Sequence, residues 1–136
     1  DLQNRLVELH QPKTNKKTKK QRSKTMSSVI PFEDFKKLDL RVGTIVEAEK
    51  IPKARKLYKL QVDLGPDIGK RQLVAGIAEH RQLDDLSGQR IVVIVNLEPA
   101  TIRGVRSEGM LLAAVDNKKL ALLIPDLDVP NGTRIS

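Results

Sequence analysis

The sequence predicts an all-β fold, and three observations lead to that prediction. Apolar and polar residues alternate along most of the chain after residue 39, which is the period of a half-buried strand. Glycine and proline recur between the alternating segments, where strands would turn. Helical spacing of apolar residues is confined to short segments near the N-terminus and around residues 79–89. We therefore expect a small β domain with short flanking helices.

The first 30 residues are predicted to be a disordered basic linker. Residues 11–28 contain Met26 as their only sizeable apolar side chain, so they cannot bury enough surface to offset the entropy cost of ordering. Residues 1–10 have three leucines on one helical face, and we interpret them as the stub of a larger element. Eight basic and two acidic residues give this tail +6 of the net charge of +8. Such a tail either serves as a solvated spacer or attracts nucleic acid in a salt-sensitive way.

Residues 31–136 are predicted to form one domain that begins with a short helix. Pro31 suits a first helical turn, and Phe32, Phe35 and Leu38 recur at helical spacing. We expect these apolar residues to pack, with the helix covering one end of a barrel.

The first strand is predicted to begin at Leu40, where the apolar period changes to two. Gly43 could allow a bend or a bulge. One face of this strand would carry Val42, Thr44, Val46 and Ala48, and the other Arg41, Ile45, Glu47 and Glu49.

A hairpin is predicted over residues 57–77. Tyr58, Leu60, Val62 and Leu64 alternate with more polar residues, the sequence GPDIG supplies a turn, and RQLVAGI supplies the returning strand.

The remaining segments complete a small barrel. Residues 79–89 indicate a helical turn and a loop that ends at Gly88. The next strand, RIVVIVNL, is apolar on both faces, so its outer side must be covered either by a dimer contact or by the chain's own terminal segments. Further strands are expected at Met110–Val115 and Leu120–Ile124. Five or six strands fit a five-stranded Greek-key barrel of the oligonucleotide-binding (OB) type, although the count alone does not distinguish it from other small barrels.

Several function classes are excluded by composition. The chain has no cysteine, which rules out disulfides, thiol catalysis and cysteine-ligated zinc. Its two histidines are far apart, and no carboxylate pair or nucleophile with a base is apparent, so we predict no catalysis, no metal and no cofactor. No segment approaches the ~20 apolar residues of a membrane span, and no signal-peptide pattern is present. We expect a soluble, cytoplasmic protein.

Two basic segments are the candidates for binding. The first, with no acidic residue between its ends, contains Lys50, Lys53, Arg55, Lys56 and Lys59. The second lies in the stretch 96–114, which we interpret as two strands joined by a loop carrying Arg103, Arg106 and Ser107. Together they could form one basic face for a phosphate backbone, extended by Arg71, Arg81 and Arg90; the alternative is a merely solvated surface.

Aromatic residues are scarce, which bears on the kind of nucleic acid. Phe32, Phe35 and Tyr58 are the only ones, whereas single-strand binders on this barrel stack bases on aromatic platforms. Recognition of a folded RNA by shape and backbone is therefore favoured.

The order of several motifs resembles one family. These motifs are LDLRVGTIVEAEKI, KLYKLQVDLG, VAGIAE, VVIVNLEPATIRGVRSEGMLLAA and LLIPDLDVPNG. Over residues 32–136 the chain resembles the appended tRNA-binding domain of methionyl-tRNA synthetases, which also occurs as free-standing tRNA-binding proteins, and the core of the endothelial monocyte-activating polypeptide. The resemblance implies an OB barrel that grips tRNA near its outer corner without reading the anticodon.

The resemblance also implies functional residues. The lysine of the Lys-Leu pair and the S-x-G-M motif, associated with tRNA contact in the family, fall on Lys56, Ser107 and Met110, and Asn96 is implied as a support of the site. Arg55 and Ala75 depart from the family pattern; the first should strengthen phosphate attraction, and the second removes a hydroxyl. The complete predicted contact set is Lys53, Arg55, Lys56, Asn96, Arg103, Arg106, Ser107 and Met110.

The function implied is a non-catalytic module that raises the affinity of an aminoacyl-tRNA synthetase, most simply the methionyl type, for tRNA. The implied partners are tRNA, a second copy of the chain in a homodimer, and a synthetase catalytic domain in the same or another chain. The alternative is a protein-interaction or chaperone-like OB dimer.

Overall fold

The computed structural model describes residues 28–136, so the predicted linker lies outside the described residues except for its last three positions. The chain divides into two units between Lys37 and Leu38. Within the first, helix α1 spans Phe32–Lys36, and the rings of Phe32 and Phe35 lie 6.0 Å apart. The predicted short helix is confirmed, while its placement over a barrel stays a prediction.

Residues 38–136 form an antiparallel β structure, which confirms the predicted all-β class. The strands are β1 (Leu40–Ile51), β2 (Ala54–Asp63), β3 (Lys70–Ala75), β4 (Arg90–Ile94), β5 (Ala100–Ile102), β6 (Val105–Ser107), β7 (Met110–Leu111), β8 (Ala113–Asp116), β9 (Lys119–Leu122) and β10 (Arg134–Ile135). A six-stranded sheet has the order β3-β2-β1-β4-β7, with β10 also paired to β1, and two separate hairpins are formed by β5–β6 and β8–β9. A single 3-10 turn at Leu83–Asp85 precedes β4, in the region where a helical turn was predicted.

The core of the barrel is filled by alternate residues of the central strands. On β2, Leu60 and Val62 are fully buried while the residues that follow them, Gln61 and Asp63, are not, as the predicted alternation requires. Leu60 lies opposite Leu73 of β3 in the predicted hairpin. The other fully buried side chains of this core are Ile45, Leu64, Ile77, Leu86, Ile91 and Val93.

The predicted faces of β1 are wrong beyond its middle. The register with β2 shifts between Ile45 and Glu47, which leaves Val46 as an extra residue in a β-bulge. Ile45 is fully buried, and after the bulge Ala48, which the strict period of two placed on the opposite face, packs against the same core. A bulge adds one residue to one strand only, so it interchanges the faces of every residue that follows it.

The C-terminal segment runs along β1. The amide of Gly132 donates to the carbonyl of Val42 at 2.7 Å, and the amide of Val42 donates to the carbonyl of Thr133 at 3.0 Å. Gly132 has φ of +93°, and a Cβ there would lie 2.7 Å from the Leu64 carbonyl oxygen, so only glycine fits. Every apolar residue of β4 is buried within the single chain. Of the two ways to cover this strand, the chain's own segments are therefore sufficient.

The stretch 96–114 differs from the prediction of two barrel strands joined by a loop. Its basic part is a hairpin of its own, β5–β6, in which Ile102 pairs with Val105. The expected strand at Met110–Val115 is divided at Leu112 into β7, which pairs with β4, and β8, which pairs with β9. One continuous apolar run thus serves two different sheets, and periodicity alone does not mark the change of partner.

Candidate nucleic-acid interface

The turn between β1 and β2 presents a lysine at its tip. Ile51 pairs with Ala54, so the turn consists of Pro52 and Lys53. Lys53 has φ of +63° and is exposed. Proline at the first position and positive φ at the second are the features of a type II turn, in which glycine or asparagine usually takes the second position. The structure therefore holds a lysine in a conformation that lysine rarely adopts.

A bulge in β2 follows directly and contains the next two basic residues. Lys50 pairs with Tyr58 while its neighbour Ile51 pairs with Ala54, so three residues of β2 have no counterpart on β1. Of these three, Arg55 and Lys56 are exposed and Leu57 is partly buried. Bulges re-aim side chains, and this one turns two consecutive cations outward.

The hairpin β5–β6 carries a second strained tip. Its two-residue turn consists of Arg103 and Gly104, with φ of +51° and +80°. Positive φ at both central residues is the pattern of a type I′ turn, for which Asn-Gly is the favoured sequence. Here arginine stands in the place of asparagine.

An apolar cluster separate from the barrel core joins these elements. We call it the outer cluster. Its buried members are Ile51, Ala54 and Val74, with Leu57, Ile102 and Val105 packed against them. The outer cluster thus includes the residues on both sides of the Lys53 turn and those on both sides of the Arg103 turn. It also includes Leu57, the apolar residue of the β2 bulge. The two predicted basic segments are brought together through it.

Ser107 lies in the seam where the barrel closes. Its side chain is only 6% exposed. The amide of Val74 on β3 donates to its hydroxyl at 3.0 Å, and the hydroxyl donates to the Gly109 carbonyl at 3.1 Å. Both bonds are directed into the protein. The geometry therefore gives Ser107 the position of a support for the β5–β6 hairpin, although the sequence placed it in the contact set.

Gln72 completes this seam on the edge of β3. The amide of Glu108 donates to its backbone carbonyl at 2.8 Å, and its side-chain amide donates to the Arg106 carbonyl at 2.9 Å. Gln61 of β2 in turn donates to the Gln72 side-chain oxygen at 3.0 Å. The end of the hairpin is thus tied to two strands of the barrel.

Asn96 and Met110 lie at the β4–β7 side of the sheet. The Asp39 amide donates to the Asn96 side-chain oxygen at 2.9 Å, which ties the start of β1 to the segment after β4. Met110 lies opposite Ile94 and is 47% exposed. Asn96 therefore occupies a supporting position, and Met110 offers an accessible apolar side chain.

Asp39, whose amide binds Asn96, also forms ion pairs through its carboxylate. The Arg41 guanidinium donates to the Asp39 carboxylate at 2.6 Å, and this bond lowers the pKa of Asp39 against the opposing effect of burial. The same bond raises the pKa of Arg41. Arg41 also donates to the Gly132 carbonyl at 3.0 Å, so the network joins the start of β1 to the C-terminal segment.

The basic residues divide into paired and unpaired sets. Lys59 pairs with Glu49 and Arg106 with Glu108, each at 3.3 Å. Within residues 28–136, five exposed cations of the two segments have no acidic partner: Lys50, Lys53, Arg55, Lys56 and Arg103. We call these five the basic surface.

The three arginines expected to extend the basic face are used inside the fold instead. Arg71 donates to the Val95 carbonyl at 2.8 Å, and Arg81 donates to the Leu120 carbonyl at 2.9 Å. Arg90 binds the Val129 carbonyl and the Asp128 carboxylate. All three are partly buried, and each fastens one segment of the chain to another.

An open groove of about 990 Å³ runs beside the basic surface. Its charged and polar lining residues are Lys50, Lys53, Arg55, Gln82 and Asp84. The remaining lining is mostly apolar and comprises Ile51, Pro52, Ala54, Leu57, Tyr58, Ala78 and Leu83. With three cations against one carboxylate, the lining suits a polyanionic chain.

Other site types receive no support from the part of the chain that the structure describes. No group of three or more potential metal-ligating side chains occurs among these residues. None of the helices described there is long and apolar enough to cross a membrane.

Comparison with known proteins identifies the family. Residues 40–134 match the family model of the putative tRNA-binding domain. The chain belongs to the tRNA-binding domain family. This family is non-catalytic, and the chain corresponds to the appended or free-standing tRNA-binding domain, not to the catalytic part of a synthetase.

Relatives of this tRNA-binding domain include much longer proteins. It is 48% identical over 132 residues to the methionine–tRNA ligase of Thermococcus onnurineus strain NA1, covering 96% of this chain and 18% of that protein. It is 54% identical over 107 residues to the ligase of Methanothrix thermoacetophila, covering 79% of this chain and 16% of that protein. The chain thus spans less than a fifth of these relatives.

Solved structures with the same fold are close to the domain in size. The chaperone CsaA from Bacillus anthracis strain Ames is 39% identical with a TM-score of 0.72, and the match covers 79% of this chain and 99% of that one. The MetRS-related protein from Pyrococcus horikoshii is 35% identical with a TM-score of 0.74, covering 81% of this chain and 100% of that one. The predicted family resemblance and barrel fold are confirmed.

Proposed function

We propose that this tRNA-binding domain grips the phosphate backbone of folded tRNA with its basic surface and thereby raises the tRNA affinity of a methionyl-type synthetase. The observation that carries the proposal is the set of five unpaired cations on elements that share the outer cluster. Like charges held close together repel one another, and a phosphate chain relieves that repulsion while releasing its counterions.

Residues 38–136 offer no aromatic stacking platform, which supports backbone recognition over base reading. Residues 38–136 contain one aromatic residue, Tyr58, which is 5% exposed and donates its hydroxyl to the Arg81 carbonyl. A buried ring cannot stack on a base. We therefore propose that shape and phosphate contacts dominate, and that tRNAs of different sequence bind alike.

The predicted site residues take different roles in this proposal. Lys53, Arg55, Lys56 and Arg103 contact phosphates directly, and Arg106 contributes less because Glu108 accompanies it. The exposed Met110 offers an apolar contact to a ribose or a base. The two remaining members of the set, Asn96 and Ser107, act as supports.

Removing single charges tests this function. We expect Lys56→Ala and Arg103→Ala each to weaken binding of unfractionated tRNA by about three- to tenfold, since each loses one phosphate contact. Lys118→Ala, in the turn between β8 and β9, removes an exposed lysine outside the basic surface and should leave the affinity within twofold. Equilibrium filter binding at low salt measures all four proteins.

The same titrations with individual purified tRNAs test the mode of recognition. The losses should be equal for every tRNA. A loss confined to one tRNA would show base-specific reading and contradict the backbone proposal.

The assembly is also proposed. We assign residues 1–30 to a basic linker and 31–136 to the binding domain of a cytoplasmic protein, joined to or acting with a synthetase catalytic domain. An exposed apolar group on and after the β8–β9 hairpin, Val115, Leu123, Ile124 and Leu127, supports a homodimer. Sedimentation equilibrium should show a dimer that dissociates in Ile124→Asp, and a monomeric wild-type protein would contradict it.

The second candidate is a protein-interaction or chaperone-like role. The same exposed apolar group and the likeness to a protein named chaperone CsaA favour it. A gel shift of the protein with unfractionated tRNA at low salt separates the two candidates. No shift would refute the tRNA proposal and leave the protein-interaction role.

A further inference from the structure

The small size of the β5–β6 hairpin raises the question of what fixes the position of Arg103. Each of its strands has three residues, and an isolated two-stranded hairpin is marginally stable in water. It forms its own two-stranded sheet apart from the main sheet. The hairpin is held instead at two places, by the seam around Ser107 at its end and by the outer cluster next to its tip.

The outer cluster contacts the residues that determine where both strained tips point. Ile51 and Ala54 immediately flank the Pro52–Lys53 turn, and Ile102 and Val105 immediately flank the Arg103–Gly104 turn. A two-residue turn is so short that its position follows the position of the two paired residues that it connects. Packing of these pairs on one cluster therefore fixes the separation of the two tips.

We propose that the outer cluster is the spacer that sets the distance between the Lys53 and Arg103 tips to match two phosphates of one RNA. This inference rests on the proposed tRNA-binding function. It makes Ile102, which is partly buried and uncharged, a positioning residue for RNA binding. Preorganised cations bind more tightly because the cost of ordering them is met on folding and not on binding.

A double-mutant cycle tests the proposal on the full chain. Ile102→Ala removes the contact of the Ile102 side chain with the outer cluster and should weaken tRNA binding by about three- to tenfold, whereas the conservative Ile102→Val should stay within twofold. In the Ile102→Ala background, Arg103→Ala should cost much less affinity than it costs in the wild-type protein, because the tip has already lost its position. Lys118→Ala should have the same effect in both backgrounds.

The outcomes separate this inference from the proposed function. Should Arg103→Ala cost the same in both backgrounds, the spacer role is overturned while phosphate binding stands. Should Arg103→Ala have no effect even in the wild-type protein, the proposed function itself fails. Thermal melts check that each variant is folded at the assay temperature. If Ile102→Ala does not fold, Val105→Ala replaces it as the cluster variant in the same double-mutant cycle.

Discussion

At the scale of single residues, the tips of the hairpins combine positive charge with an unfavourable backbone. The non-glycine residues with positive φ in residues 28–136 are Lys53, Arg103 and Asn117. Asparagine tolerates this conformation, whereas for lysine and arginine it has a conformational cost of about 1 kcal/mol. Strain of this kind concentrates at functional sites, and here it occurs at two of the five cations of the basic surface.

Replacing the strained arginine should therefore separate stability from binding. We expect Arg103→Asn to raise the free energy of unfolding by roughly 0.5–1 kcal/mol, because asparagine suits the turn, and to weaken tRNA binding. The reciprocal control, Asn117→Arg, should lower stability without raising affinity. Thermal melts and filter binding measure the pair, and a destabilised Arg103→Asn protein would disprove the strain.

The Asp39–Arg41 pair predicts a dependence of stability on pH. The pKa of folded Asp39 lies below its ordinary value of 3.8, chiefly through the hydrogen bond from Arg41. The pair thus stabilises the fold above that pH, and its contribution disappears as pH falls through the folded pKa. Asp39→Asn should cost up to about 1 kcal/mol at pH 7 and nothing in strong acid. Urea titrations measure the free energy of unfolding of both proteins at both pH values. If Asp39→Asn lowers it equally at both, the Asp39–Arg41 ion pair does not contribute to stability.

At the scale of elements, the hydrogen bonds of Ser107 in the seam of the barrel predict that it supports the β5–β6 hairpin. Ser107→Ala leaves the buried amide of Val74 without its acceptor, which should lower the free energy of unfolding by about 1–3 kcal/mol. Affinity should fall with stability, because the β5–β6 hairpin loosens. The exposed Ser87→Ala is the control. Weakened binding with an unchanged melting temperature would identify Ser107 as a direct contact instead.

The same elements show what a sequence can and cannot predict. The alternation of Leu60 and Val62 located the β2–β3 hairpin because period-two burial is a local property. The bulge at Val46 and the three-residue bulge at Arg55–Leu57 depend on how two strands pair, which no single segment encodes. The two basic segments could be singled out by charge, and their use in binding stays a prediction, but the outer cluster that joins them was missed. The sequence did contain a sign of this cluster, because an isoleucine directly precedes each basic turn: Ile51 before Pro52–Lys53 and Ile102 before Arg103–Gly104.

At the scale of the domain, charges that look alike in sequence have different uses. Arg71, Arg81 and Arg90 bind carbonyls and hold segments of the fold together. Lys59 and Arg106 are neutralised by acidic neighbours. Within the two basic segments, the five cations of the basic surface remain unpaired, and three of them line the groove. These few charges should therefore carry most of the affinity for tRNA.

The dependence of affinity on salt tests this central claim most directly. The logarithm of the tRNA association constant should fall linearly with the logarithm of salt concentration. Replacing Lys53, Arg55, Lys56 and Arg103 together by alanine should reduce that slope by about 3–4, roughly one for each lost phosphate contact. The control replaces Lys70, Lys118 and Lys119, three exposed lysines of the same unit outside the basic surface, and should leave most of the slope. An equal reduction in the control, or an unchanged slope in the first variant, would contradict the account.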